Sequence, residues 1–248
     1  MILYFSGSGN SRYVAKELGT LLNDEVVSLN SRIKNNDISV LFSDKPYVIV
    51  CPIYAWRIPK IVEEHLKATK LLGNNKVYLF ITACGSSGNG DSYAKEFFTG
   101  MKMEYMGSHT FYMLGSYVAF MENPDLNKAE EVNKQVQISL LTLFKYIQNE
   151  SKLPFQKVSI FGKFMSRFAN PFFYKHIIGK DGFYITNKCI GCGKCVGVCP
   201  LNNIHMKNDN PVWDHKCTHC MACVHQCPRS AIEFKKITIK KNRYYNNG

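Results

Sequence analysis

Eight of the chain's ten cysteines fall between positions 189 and 227, in a duplicated metre: Cys189, Cys192, Cys195 and Cys199-Pro200, then Cys217, Cys220, Cys223 and Cys227-Pro228. Each copy reads C-x2-C-x2-C-x3-C-P, and the second lies 28 residues after the first, 217 minus 189. At this spacing three sulfurs of one tight loop can cap three irons of a cubane, while the fourth, displaced past a turn, ligates the other cluster. The stretch is read as the ligand set of two 4Fe–4S clusters. Crossed ligation gives Cys189, Cys192, Cys195 and Cys227 to one, and Cys217, Cys220, Cys223 and Cys199 to the other.

Two competing uses of cysteine fit less well. Zinc takes four ligands per ion, commonly as two separated C-x2-C pairs, and has no use for a third cysteine followed by C-x3-C-P. Disulfide frameworks belong to small secreted domains, whereas here a large cysteine-poor region precedes the cluster and no secretory leader is recognised. The segment from Gly182 to about Phe234 resembles the bacterial two-cluster ferredoxins. Phe183-Tyr184-Ile185 and Ala231-Ile232-Glu233-Phe234 are expected to pair as short strands, with Asn203–Met206 and Pro211–Trp213 as a second hairpin. His205, His215, His219 and His225 are expected on the surface of these loops, since each cluster already has four sulfurs.

At 248 residues the chain has the length of two ordinary domains. No apolar run approaches the roughly eighteen residues that span a bilayer. The chain opens on Met1-Ile2-Leu3-Tyr4-Phe5 without a basic leader, so a soluble, reducing, cytoplasmic setting is expected. Residues 1–150 carry fifteen Lys/Arg and fifteen Asp/Glu; residues 151–248 carry sixteen against four and hold the whole net charge of +12. Two oxidised clusters with their thiolates, about −2 each, still leave a basic C-terminal half. Lys235, Lys236, Lys240, Lys241 and Arg243 are read as steering acidic redox partner proteins. A nucleic-acid-binding role would rest on charge alone and is not adopted.

Apolar stretches at Ile2–Phe5, Glu25–Leu29, Tyr47–Ile53 and Lys76–Ala83 have the continuous character of parallel strands buried on both faces. Helix-like segments at Ser11–Leu22, Pro59–Thr69, Asp91–Met103 and Asn127–Asn149 alternate with them, which argues for a doubly wound α/β sheet. After the first strand comes Ser6-Gly7-Ser8-Gly9-Asn10-Ser11 and then a helix. Glycines let the backbone curl around a phosphate, the hydroxyls of Ser6, Ser8 and Ser11 can donate, and the helix start offers free amides. A nucleotide P-loop would need Gly-Lys-Ser/Thr, and the dinucleotide fingerprint a third glycine where Arg12 stands.

This loop matches the flavodoxin pattern T/S-x-T/S-G-N-T/S, and residues 1 to about 150 resemble a flavodoxin. The resemblance implies strand order 2-1-3-4-5 and bound FMN. It also assigns two loops to the isoalloxazine ring. One holds Pro52, Ile53, Tyr54, Ala55 and Trp56; the other runs from Cys84, Gly85 and Ser86 through Gly88, Gly90 and Asp91 to Tyr93. Tyr54, Trp56 and Tyr93 are the candidate stacking rings, with Trp56 alternatively a loop anchor. Arg57 and Asp91 are read as solvated or capping more than redox-tuning, and Cys51 and Cys84 as small buried hydrophobes.

Between the halves, residues 151–181 form a basic aromatic linker. Phe161, Phe164, Met165 and Phe168 share a helical face, Asn170-Pro171 is expected to break the helix, and Gly179 to end a second one. Burial of the aromatic face between the domains is preferred to contact with a membrane surface. The divisions expected are 1–150, 151–181 and 182–248. The combination resembles the flavodoxin–ferredoxin fusion proteins of anaerobes, which implies electron transfer among FMN, two clusters and partner proteins. The alternative is a ferredoxin-dependent reductase acting on a small organic substrate at the flavin. Without a nicotinamide fingerprint, direct NAD(P)H use is not expected.

Overall fold

The computed structural model describes residues 1–121, 124–154, 160–178 and 182–247. Five parallel strands, β1 (Ile2–Tyr4), β2 (Val26–Ser28), β4 (Tyr47–Pro52), β6 (Lys76–Ala83) and β7 (Glu104–Tyr112), form one sheet in the order β2-β1-β4-β6-β7. This is the flavodoxin-like order expected. A separate parallel pair, β3 (Leu41–Ser43) with β5 (Leu71–Gly73), stands apart from this sheet. Successive side chains of a strand point to opposite faces, which explains the unbroken apolar runs. Leu3, Ile49 and Leu79 pack against α3 (Lys60–Ala68) and α4 (Gly90–Gly100), with α2 (Leu29–Lys34) at the edge; Ile2, Val48, Val50 and Tyr78 pack against α1 (Asn10–Leu22) and α5 (Ala129–Gln148). A short 3-10 turn at Leu126–Lys128 leads into α5.

Strand β7 had no recognisable signature. It is an edge strand, mixes polar and apolar residues, and contains Gly107 at φ 111°, beside a register shift between Val77 and Leu79. The chain after α5 returns to cover it, Leu153 N donating to Met106 O at 2.8 Å.

The connecting helix α6 (Ile160–His176) runs through Pro171 without a break, contrary to the expected boundary. Proline removes one backbone bond, at about 3 kcal/mol, but side-chain anchors on both sides of it outweigh that loss. Asn89 N donates to Ser166 Oγ at 3.0 Å, Asn170 Nδ2 to Tyr54 O at 2.8 Å, and Lys60 N to Tyr174 OH at 2.9 Å. The docked stripe is therefore Ser166, Asn170 and Phe173, at helical spacing. Phe168 and Phe172, by contrast, are exposed at 57 % and 59 %. The side chains of Phe161, Phe164 and Met165, and Gly179 itself, lie outside the described residues.

The C-terminal region contains two antiparallel pairs: β8 (Phe183–Ile185) with β11 (Ile232–Phe234), and β9 (Ile204–Lys207) with β10 (Asn210–Trp213). Two short helices, α7 (Lys194–Val198) and α8 (Ala222–His225), lie between them. Its core (Cys195, Ile204, Met221, Val224, Ile232 and Phe234) also takes in Val118 and Ala119 from the chain after β7. Among the described residues no helix is long and apolar enough to cross a membrane.

Candidate functional site

Strand β1 delivers the Ser6–Ser11 loop to the carboxyl end of the sheet, the edge where ligands of open α/β sheets sit. Gly9, at φ 90°, turns the chain into α1, whose first turn carries no acidic residue. Asn30 fixes the loop from below: Ser6 N donates to Asn30 Oδ1 at 2.8 Å, and Asn30 Nδ2 to Ser6 O at 3.0 Å. Ser11 Oγ lies 2.7 Å from Thr82 Oγ1. Asn10 Nδ2 donates to Leu114 O at 3.1 Å, while its Oδ1 is buried without a hydrogen-bond partner.

A cavity of about 400 Å³ opens over this loop, within the size range of cofactor pockets. Of the residues assigned to the flavin, Ser6, Gly7, Ser8, Asn10, Ser11, Pro52, Ile53, Tyr54, Ala55, Trp56, Cys84, Gly85 and Ser86 line it. Gly9, Gly88, Gly90, Asp91 and Tyr93 are not in its lining. A Cβ on Gly9 would run into Asn246, and one on Gly88 into Trp56 and Ser166. Asp91 accepts from Tyr105 OH and Ser108 Oγ at 2.8 and 2.6 Å, and Tyr93 lies under the Arg57 guanidinium, 4.0 Å from its ring centre.

Trp56 is both wall and anchor, its Nε1 donating to Ser86 O at 3.0 Å. With Ala55 it forms the tip of a two-residue turn between Tyr54 and Arg57, at φ 46° and 65°. Side chains rarely accept that geometry, which asparagine and glycine usually supply. Cys51 is a buried hydrophobe as expected; Cys84 is instead exposed on the cavity wall, its Sγ 3.3 Å from Met121 Sδ.

The eight cysteines sort into two smaller cavities. One is lined by Cys189, Cys192, Cys195 and Cys227, the other by Cys199, Cys217, Cys220 and Cys223, with Trp213 and Phe183 around the second. These are the crossed sets. Among the described residues no group of three or more His, Cys, Asp or Glu is already placed to hold a single metal ion. Burial pushes the Cys217 thiol up to about 11 and Cys220 to about 12.

The second cavity and the cavity over the Ser6–Ser11 loop share a wall. Cys220 and Met221 line both, and His219 joins them in the lining of the cavity over that loop. Phe173 of α6 and Tyr117 complete this wall, Tyr117 OH lying 3.2 Å from His219 Nδ1. Further contacts lock the halves together. Lys34 Nζ donates to Val196 O, Cys199 O and Asn202 Oδ1 at 2.9, 3.2 and 2.8 Å, at the C-terminus of α7. His225 Nε2 donates to Ser116 O at 2.6 Å while its Nδ1 accepts from Tyr244 N, and burial lowers its pKa to about 4. The chain's end returns to the phosphate loop, Asn246 N donating to Ser8 O and Arg12 to Asn246 O.

Two sequence expectations change here. His219 and His225 are buried at 1 % and 5 % exposure, although His205 and His215 are on the surface. Of the basic tail, Lys241 Nζ is turned inward to Val118 O and Met121 O, and Arg243 pairs with buried Glu233 at 2.8 Å, leaving Lys235, Lys236 and Lys240 exposed. Nothing in the sequence marked Tyr117, Phe173, His219 or Met221 for the cavity, because they come from three separate segments that only folding assembles.

Residues 1–110 match the family described as flavodoxin domain, and residues 182–241 the family described as 4Fe-4S dicluster domain. An uncharacterized protein of Methanocaldococcus jannaschii is 46 % identical over 39 residues, which span 16 % of this chain and 10 % of that protein. The Trp repressor binding protein of Bacillus subtilis, at 11 % identity over 55 % of this chain and 96 % of its own, superposes with a TM-score of 0.32, too slight a likeness to bear on function.

Proposed function

We propose that this chain, in which a flavodoxin domain is joined to a 4Fe–4S dicluster domain, carries electrons within one molecule between FMN and its clusters and exchanges them with separate redox proteins. The two domains together make it an electron-transfer flavin and iron–sulfur protein. The observation that carries the finer reading is the shared wall: one cavity has the Ser6–Ser11 loop on one side and a cluster-loop cysteine, Cys220, on the other.

The residues present fit the cofactors. Backbone amides at the start of α1 and the hydroxyls of Ser6, Ser8 and Ser11 would hold the phosphate, and the unpartnered Asn10 Oδ1 would accept from a ribityl hydroxyl. Tyr54 and Trp56 would flank the ring. The two cysteine quartets would hold the clusters. Bound FMN supplies two-electron capacity, and each cubane passes one electron at a time. Tyr117, Phe173, His219 and Met221 line the cavity between the Ser6–Ser11 loop and the cysteine loop.

Anaerobically reconstituted protein should contain FMN with about eight iron and eight labile sulfide. After rapid flavin reduction, cluster reduction followed optically and by EPR should proceed at a rate independent of protein concentration. FAD in place of FMN, stoichiometric zinc, or a transfer rate that rises with concentration would each overturn the reading.

A further inference from the structure

The two cysteine loops are copies offset by 28 residues, so Gly191 corresponds to His219 and Gly193 to Met221. All four share one backbone geometry: φ is 66° and 68° at the glycines, and 56° and 59° at His219 and Met221. The left-handed region is natural to glycine and strained for other residues. The second loop therefore keeps a fold that calls for glycine twice, yet carries a histidine and a methionine there. Both side chains are buried, and both residues line the flavin-side cavity. No residue around the first quartet does so.

Gly7 gives a second, independent sign. It is the free position of the phosphate-loop pattern, and its backbone is not in the left-handed region, so local geometry does not demand glycine. A Cβ there would nevertheless run into the carbonyl oxygen of Cys220. What excludes a side chain at Gly7 is the approach of the cysteine loop.

Resting on the proposed placement of FMN and the clusters, we infer that the second cysteine loop is part of the FMN-binding site, with His219 and Met221 as flavin-positioning residues. The cluster of Cys199, Cys217, Cys220 and Cys223 is then the flavin-side cluster and that of Cys189, Cys192, Cys195 and Cys227 the outer one. FMN retention is tied to the first of these and indifferent to the second. By linkage, whatever the assembled inner loop adds to FMN affinity, FMN returns to that loop.

The test is FMN affinity by fluorescence titration of the full anaerobic chain, with iron content measured alongside. His219→Gly and Met221→Gly restore the residue used in the first loop and relieve its backbone, so iron should stay near the wild-type value. FMN Kd should rise about tenfold, equivalent to about 1.4 kcal/mol. Cys192→Ser, which removes an outer ligand, should leave FMN Kd unchanged. If the glycine variants lose iron, Gly7→Ala reads the same contact from the other side and should raise Kd with the clusters intact. Unchanged affinity in the iron-replete glycine variants or in Gly7→Ala, or equal weakening by Cys192→Ser, overturns the inference while leaving FMN and cluster binding standing. Wild-type protein that binds no FMN defeats the proposed function instead.

Discussion

Asn10 and Ser11 illustrate how a single position can serve two neighbours. Ser11 Oγ meets Thr82 at the end of β6 and also faces the cavity, so its loss removes a ligand donor and a tie between phosphate loop and sheet. Ser8→Ala and Ser11→Ala should each weaken FMN binding by roughly 1 to 3 kcal/mol, checked by titration of flavin-free protein. Arg243 is a largely buried charge. Its guanidinium donates to Thr238 O, Lys241 O and Ile232 O and pairs with Glu233, which also accepts from Thr238 Oγ1. Arg243→Ala would strand a buried carboxylate and should cost about 3 to 5 kcal/mol in urea unfolding. Lys236→Glu, on the surface, should shift stability by no more than about 0.5 kcal/mol.

Helix α6 shows an element whose course is set by its attachments. Tyr174 OH accepts from Lys60 N, one of the amides left open at the start of α3, and the Lys60 ammonium lies 4.5 Å from the Tyr174 ring centre. Tyr174→Phe keeps the ring and removes the acceptor. It should lower stability by about 0.5 to 1.5 kcal/mol, seen as a lower urea midpoint with an unchanged slope. In the same way the 52–57 turn holds its left-handed tip because Trp56 is tied to Ser86 and Asn170 to Tyr54 O. Neither element would adopt its course from local preference alone.

For the molecule as a whole, charge and protonation give two tests. Burial lowers the pKa of His65, helped by Arg32 and opposed by Asp37, and burial also lowers that of His109. The unfolded chain, with histidines near the ordinary value of about 6.5, then takes up protons first as pH falls. These two groups cost nothing above that pH and subtract stability below it. Unfolding midpoints of the full chain should drop between pH 7.5 and 5.5, and His65→Gln should shrink the drop. The proposed docking of acidic partners rests on the exposed cations, among them Lys188, Lys194, Arg229, Lys235, Lys236 and Lys240. Exposed charges are screened over about 8 Å at physiological ionic strength and act mainly on encounter. Cluster reduction by an acidic redox protein should slow steeply with salt, while flavin-to-cluster transfer inside one molecule should hardly change. A bimolecular rate flat with salt would remove the basic face from the docking proposal.

Much of this was legible in the residues. The duplicated C-x2-C-x2-C-x3-C-P spacing and the Ser6–Ser11 loop are local patterns whose chemistry is fixed within a dozen positions, and the apolar runs at Ile2, Tyr47 and Lys76 announce strands covered on both faces. Edge strand β7 was not legible, because an edge needs neither a continuous apolar run nor a glycine-free one. Nor was the fate of Pro171, of His219 and His225, or of Lys241 and Arg243, whose surroundings come from segments a hundred residues away or from buried partners. Spacing along the chain determines which atoms can meet within one loop. Which loops meet one another, and so which cysteine quartet stands beside the phosphate loop, is decided by how the two halves pack.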